Sequence, residues 1–307
     1  MFSLPTRFAA LLSLLTLLLL PAPRACAWGE DGHHHINSLA VDCLPANLQP
    51  LYAANRPWIA LHGVDPDLWR QGYAPEAPHH FIDLDTWGMD VAMHFPLDYW
   101  TACGLYGQAA VDKNGVVPWR IGQYYGKLVK AFKEHDAKAI VETSAWLGHY
   151  VADIHVPFHA AANYDGQLSG QKGIHARFET ALLKRQIKLT DLKPRAARLI
   201  ASPVAAAFDW ARESLSLTLP VLAADKEAVA TDSAYGDAYY TAFGAKTRGI
   251  AVQRLEEGAQ DLASLWVSAW TEAGKPEMPA VTDVHAGESL DKRTHDPDVI
   301  LSAGVAP

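Results

Sequence analysis

The sequence predicts an all-α protein with a single, mostly helical domain and long ordered loops. Apolar residues recur at three- and four-residue spacing over most of the chain, which is the pattern of amphipathic helices. Alternating strand-like patterns are scarce. A chain of 307 residues can bury a full core and still form one domain.

The apolar spacing predicts where the helices lie. They are expected at roughly Ile36–Leu44, Trp119–Glu134, Ala137–Ile154, Ala176–Ile187, Leu192–Leu217, Lys226–Ala245 and Lys246–Ala273. The stretch 56–117 is rich in Gly, Pro and aromatic residues and predicts long ordered loops. Loops of that length in a compact domain need a function or an external tie, and metal coordination would supply one.

The first residues have the pattern of a secretory signal peptide. Arg7 precedes an apolar run over 8–20, and Ala25-Cys26-Ala27 forms an A-x-A cleavage site before Trp28. The run is shorter than the ~20 residues that a membrane-spanning helix needs. We therefore predict cleavage after residue 27 and a secreted or periplasmic protein.

The rest of the chain divides into a domain over 28–275 and a polar, Pro-containing tail over 276–307, which is predicted to be disordered. Cleavage would leave Cys43 and Cys103, for which a disulfide and two free thiols are equally open interpretations. The formal charge of −8 and the lack of a basic stripe argue against a dedicated duplex-binding protein.

The central chemical motif runs from His149 through Asp153 to His159. Residues four apart share a helix face, so His149 and Asp153 can hold one metal between them. Pro157 should end or kink that helix and direct His159 toward a second metal position.

A second pair has the same spacing. His175 and Glu179 open a predicted helix after a Gly-containing loop over 163–173. Imidazole and carboxylate side chains are the ligands that zinc takes, and helix spacing fixes their angles. Either pair alone has an ordinary structural interpretation, but together they favour a metal site.

With the upstream motifs Trp28-Gly-Glu-Asp-Gly-His33, Asp65-Pro-Asp67-Leu-Trp-Arg70 and His79-His80-Phe81-Ile82-Asp83, the ordered set resembles a known superfamily. It is similar to the zinc-dependent bacterial phospholipases C and the single-strand-specific nucleases of fungi and plants. The resemblance covers 28–179 and implies a nearly all-helical fold around three zinc ions.

The resemblance also implies the ligands. It assigns the first zinc to Asp67, His80, His149 and Asp153, the second to His159, His175 and Glu179, and the third to the terminal amine and carbonyl of Trp28 with His33 and a bridging Asp153. It places a candidate catalytic base at Asp67.

Two assignments keep alternatives. Asp65 could replace Asp67, but the resemblance favours Asp67, because the acid of that superfamily is often followed three residues later by Arg, as Arg70 follows it here. His79 could replace His80, but the resemblance favours His80, because a Phe directly after the ligand is part of the pattern. The other histidines lack a partner at ligand spacing, and structural or surface roles are predicted for His34, His35, His62, His94, His135, His155, His285 and His295.

Three dications against three carboxylates would leave positive charge that favours a phosphate group, and zinc lowers the pKa of a bound water to about 7. The predicted activity is therefore phosphodiester hydrolysis. Within the resembled superfamily, Glu179 and the segment 157–164 are more similar to the phospholipases than to the nucleases. The resemblance therefore implies a phospholipase C reaction on phospholipid, with transient contact to a membrane surface and a monomeric enzyme.

Two alternatives stay open. One is a nuclease acting on single-stranded RNA or DNA with the same site, where Phe81 would offer a base-stacking face. The other is a periplasmic zinc-binding protein without turnover, suggested by the many histidines and the acidic surface.

Overall fold

A computed structural model describes residues 28–296. The predicted signal peptide over 1–27 and the end of the predicted tail over 297–307 lie outside the described residues. Within residues 28–296 the regular structure is helical and no strand occurs. The predicted all-α class is confirmed.

Most helices follow one another with short connections, whereas longer ones separate α9 from α10 and α11 from α12. They are α1 Gly29–Asp42, α2 Gln49–Ala54, α3 Arg56–His62, α4 Asp65–Gly72, α5 Met89–Met93, α6 Tyr99–Tyr106, α7 Gln108–Lys113, α8 Val117–Lys133, α9 Ala137–Ile154, α10 Ile174–Ala176, α11 Leu183–Gln186, α12 Pro203–Thr231 and α13 Asp237–Glu272. Tight 3-10 turns lie at Ala74–His80, Leu84–Trp87, Pro157–His159 and Leu189–Asp191, and a π-helical turn at Arg177–Leu182 joins α10 to α11.

The core lies where α9 packs against α1, α8 and α13. Nearly every residue of α9 from Ile140 to Ile154 is buried, so this helix is apolar on all sides and runs through the centre of the domain. Two of its few polar side chains are His149 and Asp153, both fully buried. No helix among residues 28–296 is long and apolar enough to cross a membrane.

Two parts of the predicted helix map were wrong. The stretch 56–117 forms several short helices and 3-10 turns rather than long loops, because its Pro and Gly residues limit each helix to one or two turns. In the C-terminal half, α12 begins only at Pro203, continues through Pro220 and ends at Thr231. The predicted helix over 226–245 therefore spans a real break between α12 and α13.

The tail also differs from its prediction. Over 276–296 it lies against the domain rather than being disordered: Val284 N–H donates to Asn55, Trp58 stacks on His285 at 4.1 Å between ring centroids, and Asp296 is buried. These contacts use side chains scattered along the segment, which have no helical period to reveal them. Cys43 and Cys103 are free thiols.

Candidate metal centre

Helix α9 positions the first pair of candidate ligands. Asp136 caps its start by accepting a hydrogen bond from Ala139 N–H at 3.0 Å. The helix ends at Ile154, just before Val156 and Pro157. His149 Nε2 lies 3.2 Å from Asp153 Oδ2, as the four-residue spacing predicted.

His159 follows on the 3-10 turn Pro157–His159. Its carbonyl accepts a hydrogen bond from Ile82 N–H at 2.8 Å, and its ring Nδ1 donates to the carbonyl of His80. Hydrogen bonds therefore connect the segment after His80 to the turn after α9. They bring His80 and His159, which are far apart in the sequence, close together.

The second pair lies across a change of helix type. His175 is on α10 and Glu179 is on the π-helical turn, with His175 Nε2 and Glu179 Oε2 2.9 Å apart. Gly173 precedes the pair with φ 88°, a left-handed conformation that favours glycine. Arg177 braces the turn through Asp225 at 3.0 Å. Single π turns of this kind occur frequently at functional sites.

The N-terminal segment closes the other side of the cluster. Trp28 is fully buried, and its backbone nitrogen donates to Glu179 Oε2 at 2.9 Å. His33, one turn into α1, stacks on His149 with ring centroids 4.3 Å apart and lies 3.6 Å from Asp153 Oδ1. Trp28 thus reaches the cluster through Glu179, whereas His33 reaches it through Asp153.

The two open alternatives separate clearly in the structure. Asp67 lies in the cluster, 3.8 Å from His80 Nδ1, while Asp65 accepts a hydrogen bond from His62 Nδ1 at 2.7 Å on the opposite side of α4. His80 Nδ1 lies 3.0 Å from Asp153, while His79 turns outward.

Three buried groups of ligand atoms result, each with its atoms within 4.8 Å of one another. They are His33 with Asp67 and His149, His80 with His149 and Asp153, and His159 with His175 and Glu179. The last group is the predicted second zinc site residue for residue. His155, by contrast, lies outside the three groups and bonds to the carbonyl of Val151 and to Asp261.

Backbone carbonyls orient the rings of this cluster. His149 Nδ1 donates to the carbonyl of Gly63 at 2.8 Å, and His159 Nδ1 donates to that of His80. In the neutral form of each ring, the Nε2 atom is then the acceptor. These atoms nevertheless face other ring nitrogens, His80 Nδ1 at 2.9 Å and His175 Nε2 at 3.1 Å. Metal-binding histidines typically donate their second N–H to a backbone carbonyl or a carboxylate, as His149 and His159 donate to carbonyls here.

Several buried polar atoms of the cluster have no hydrogen-bond partner: Nε2 of His80, and one carboxylate oxygen each of Asp67, Asp153 and Glu179. Such atoms are costly to bury unless something binds them. Burial raises the pKa of Asp153 to about 6 and that of Glu179 to about 7, so each needs a positive neighbour to stay ionised. The donor set and its geometry fit zinc.

A second layer behind His80 was missed by the sequence analysis. Glu76 is fully buried, accepts hydrogen bonds from Arg120 at 2.9 Å and from Tyr150, and lies 3.9 Å from His80 Nε2. The four-residue spacing between Glu76 and His80 is a sequence signal from which Glu76 could have been identified. The carbonyl partners of His149 and His159 could not have been found in this way, because backbone groups carry no sequence signature.

Fold and site together define an all-helical protein with a buried His and carboxylate cluster. No family model matches the chain. A protein of Bradyrhizobium tropiciagri described as a probable serine protease is 24% identical over 261 aligned residues, which cover 67% of this chain and 33% of that protein. The chain thus spans about a third of the length of the curated relative that it matches.

The relative bears on the predicted activity. Its name denotes a hydrolase, the broad enzyme class to which the predicted activity also belongs. The name also denotes a protein that cleaves peptide bonds, which contradicts the predicted phosphodiester hydrolysis of phospholipid or nucleic acid. That prediction, with its alternatives, was wrong. The prediction took its substrate class from a superfamily that shares the order of these motifs. Such motifs specify metal ligands more directly than they specify the bond that is cleaved.

Proposed function

We propose that this chain is a zinc-dependent hydrolase in which water, rather than a side chain, is the nucleophile. The observation that carries the proposal is the buried cluster itself. Five imidazoles point ring nitrogens at one another and at three carboxylates, and backbone carbonyls fix two of the rings with their acceptor atoms facing inward. An apolar core of this density has no other use for so many unpartnered polar atoms.

Each residue of the cluster has a proposed role. The ligands would be His33, Asp67, His80, His149, Asp153, His159, His175 and Glu179, with the backbone nitrogen of Trp28 beside Glu179. Bound zinc would supply a water of lowered pKa and a Lewis acid for the substrate.

Asp67 would act as the general base. It is nearly buried at 3% exposure, and its Oδ1 has no aligned hydrogen-bond partner, although Arg70 Nη2 approaches to 3.0 Å. A carboxylate oxygen in this position can accept a proton from the attacking water.

Serine catalysis, which the relative's name denotes, receives no support from the described contacts. The hydrogen-bonded serines of helices α9, α12 and α13 are used structurally: Ser144 bonds to Tyr52, Ser214 donates to the carbonyl of Ile154, and Ser264 donates to that of Gln260. A serine nucleophile would need an imidazole within hydrogen-bond reach. The relative is about three times as long as the matched region, so its name describes the longer protein.

Peptide bonds are the substrate class that we propose, because the relative is described by that activity. We also propose export of the chain, which is supported by the apolar run over 8–20 and the small-residue site before Trp28. The resemblance to a trinuclear zinc superfamily stays a prediction.

The test compares the effects of a chelator and of a serine-directed inhibitor on the cleavage of a peptide and of a phosphodiester substrate. Purified protein is incubated with a mixed peptide library and, separately, with a phosphodiester substrate, in the presence of a chelator or of a serine-directed fluorophosphonate. We expect peptide cleavage that the chelator abolishes, that zinc restores and that the fluorophosphonate leaves unchanged. Inhibition by the fluorophosphonate would overturn the water mechanism. Cleavage of the phosphodiester alone would overturn the peptide assignment.

A further inference from the structure

Helix α4 lies between the metal cluster and the end of the described chain. Asp65 and Asp67 are two residues apart on this helix, a rotation of about 200°, so their side chains face opposite sides. Asp67 faces the cluster, where it groups with His33 and His149. Asp65 faces the C-terminal strap, which we define as residues 293–296.

The strap contacts Asp65 through both its backbone and its side chains. The carboxylate Oδ2 of this fully buried residue accepts hydrogen bonds from Thr294 Oγ1 at 2.9 Å and from Thr294 N–H at 3.3 Å. Arg293 Nη1 lies 3.5 Å from the other carboxylate oxygen and donates to the carbonyl of Leu61. This buried carboxylate is thereby satisfied by the strap together with His62.

The strap is tied at a second point of α4 and at a second helix. Trp69, one turn after Asp65, donates from Nε1 to the carbonyl of Thr294 at 2.8 Å. Asp296 accepts hydrogen bonds from Tyr124 at 2.7 Å and from Lys127 at 2.6 Å, both on α8. The strap therefore connects α4 to a long helix of the core.

Helix α4 has only eight residues and no side-chain cap at its start. Helices of two turns are unstable by themselves and depend on tertiary contacts. We infer that the C-terminal strap clamps α4 and thereby positions Asp67, so that Asp65 and Thr294 are positioning residues for the metal cluster. The effect on metal binding rests on the proposed function, whereas the clamp itself does not.

Two variants and one matched control test the clamp. Thr294→Val keeps the shape of the side chain but removes the hydroxyl donor to Asp65, and truncation after Lys292 removes the strap altogether. Lys138→Ala is the control, because it removes an exposed 3.0 Å ion pair between the tail residue Glu288 and α9 without touching α4.

The first measurement is hydrogen exchange of the amides of residues 65–72 in metal-free protein. We expect exchange roughly tenfold faster in Thr294→Val and faster still in the truncated chain, with the amides of α13 unchanged. Exchange in α4 equal to that of wild type and of Lys138→Ala would overturn the clamp. This measurement does not depend on the proposed function.

The second measurement is titration with Co²⁺, followed by its visible absorption and by metal content. We expect both strap variants to lose or weaken the ion bound by the group that contains Asp67 and to keep the ion bound by His159, His175 and Glu179. An unchanged Co²⁺ spectrum and stoichiometry would overturn the positioning role. Absence of Co²⁺ binding in wild type would overturn the proposed function. The clamp would then be tested by the hydrogen-exchange measurement alone.

Discussion

Asp153 is the side chain on which the cluster converges. Its two oxygens lie 3.6 Å from His33, 3.0 Å from His80 and 3.2 Å from His149. We predict that Asp153→Asn lowers the bound zinc by at least one equivalent and reduces hydrolysis by more than ~100-fold, because even residues behind a ligand commonly matter 10- to 100-fold. Metal analysis and initial rates measure both.

The matched control for Asp153 is His94→Gln, which changes an exposed histidine outside the three groups. It should keep wild-type zinc content and rate. Full zinc content in Asp153→Asn would show that this carboxylate is not a ligand.

Glu142 gives a prediction at the same scale that does not involve the metal cluster. Burial raises its pKa to about 7, with Glu288 and Asp136 adding to the rise and Lys138 and His62 opposing it. A carboxyl whose pKa is raised on folding stabilises the fold below its ordinary pKa, and this contribution is lost as the pH rises through about 7.

We therefore expect Glu142→Gln to unfold at a temperature close to that of wild type near pH 5. Near pH 8 it should unfold roughly 2–4 °C higher, which corresponds to about 1 kcal/mol once screening at this partly exposed carboxyl is allowed for. Thermal denaturation at the two pH values measures this difference. A variant that is equally or less stable near pH 8 would contradict the prediction.

Among the helical elements, the contact between α1 and α9 depends on one glycine. A Cβ atom at Gly148 would lie 2.0 Å from Asn37 Oδ1, and Asn37 is held by hydrogen bonds to the carbonyls of Ile59 and Ala145. Gly148→Ala should therefore separate the helices that carry His33 and His149, at a cost of about 1–3 kcal/mol in unfolding free energy. Denaturant unfolding measures the cost.

The comparison for this prediction is Gly126→Ala on α8, where an added Cβ meets nothing within 4 Å. Because glycine is a poor helix former, that change should stabilise the protein by roughly 0.5–1 kcal/mol. If Gly148→Ala stabilised the protein to the same degree, the close approach of α1 and α9 would be wrong.

Across the whole molecule, the three ligand groups join α1, α4, α9, the turn over 157–159 and the π-helical turn. A metal that binds only the folded state stabilises it by about 2.7 kcal/mol at a concentration one hundred times its dissociation constant. We expect a chelator to lower the melting temperature by roughly 5–10 °C at this chain length, and zinc but not magnesium to restore it. A melting temperature insensitive to the chelator would argue against metal-supported folding.

The tail shows why part of the structure could not be predicted from the sequence. Residues 276–296 have no apolar period, so sequence reasoning predicted disorder. The structure instead places Thr294 on Asp65 and Asp296 on Tyr124. Each contact joins residues more than 150 positions apart, and polar contacts at that separation leave no local pattern.

The sequence by itself determined the helical class and the ligand pairs that lie four residues apart, His149 with Asp153 and His175 with Glu179, because one helix turn fixes their distance. Only the tertiary structure decided that residues 293–296 lie against α4, that Glu76 packs behind His80, and that α12 continues through Pro220. The physical reason is that the first set depends on local backbone geometry. The second depends on which buried faces pack together, which is settled by the chain as a whole.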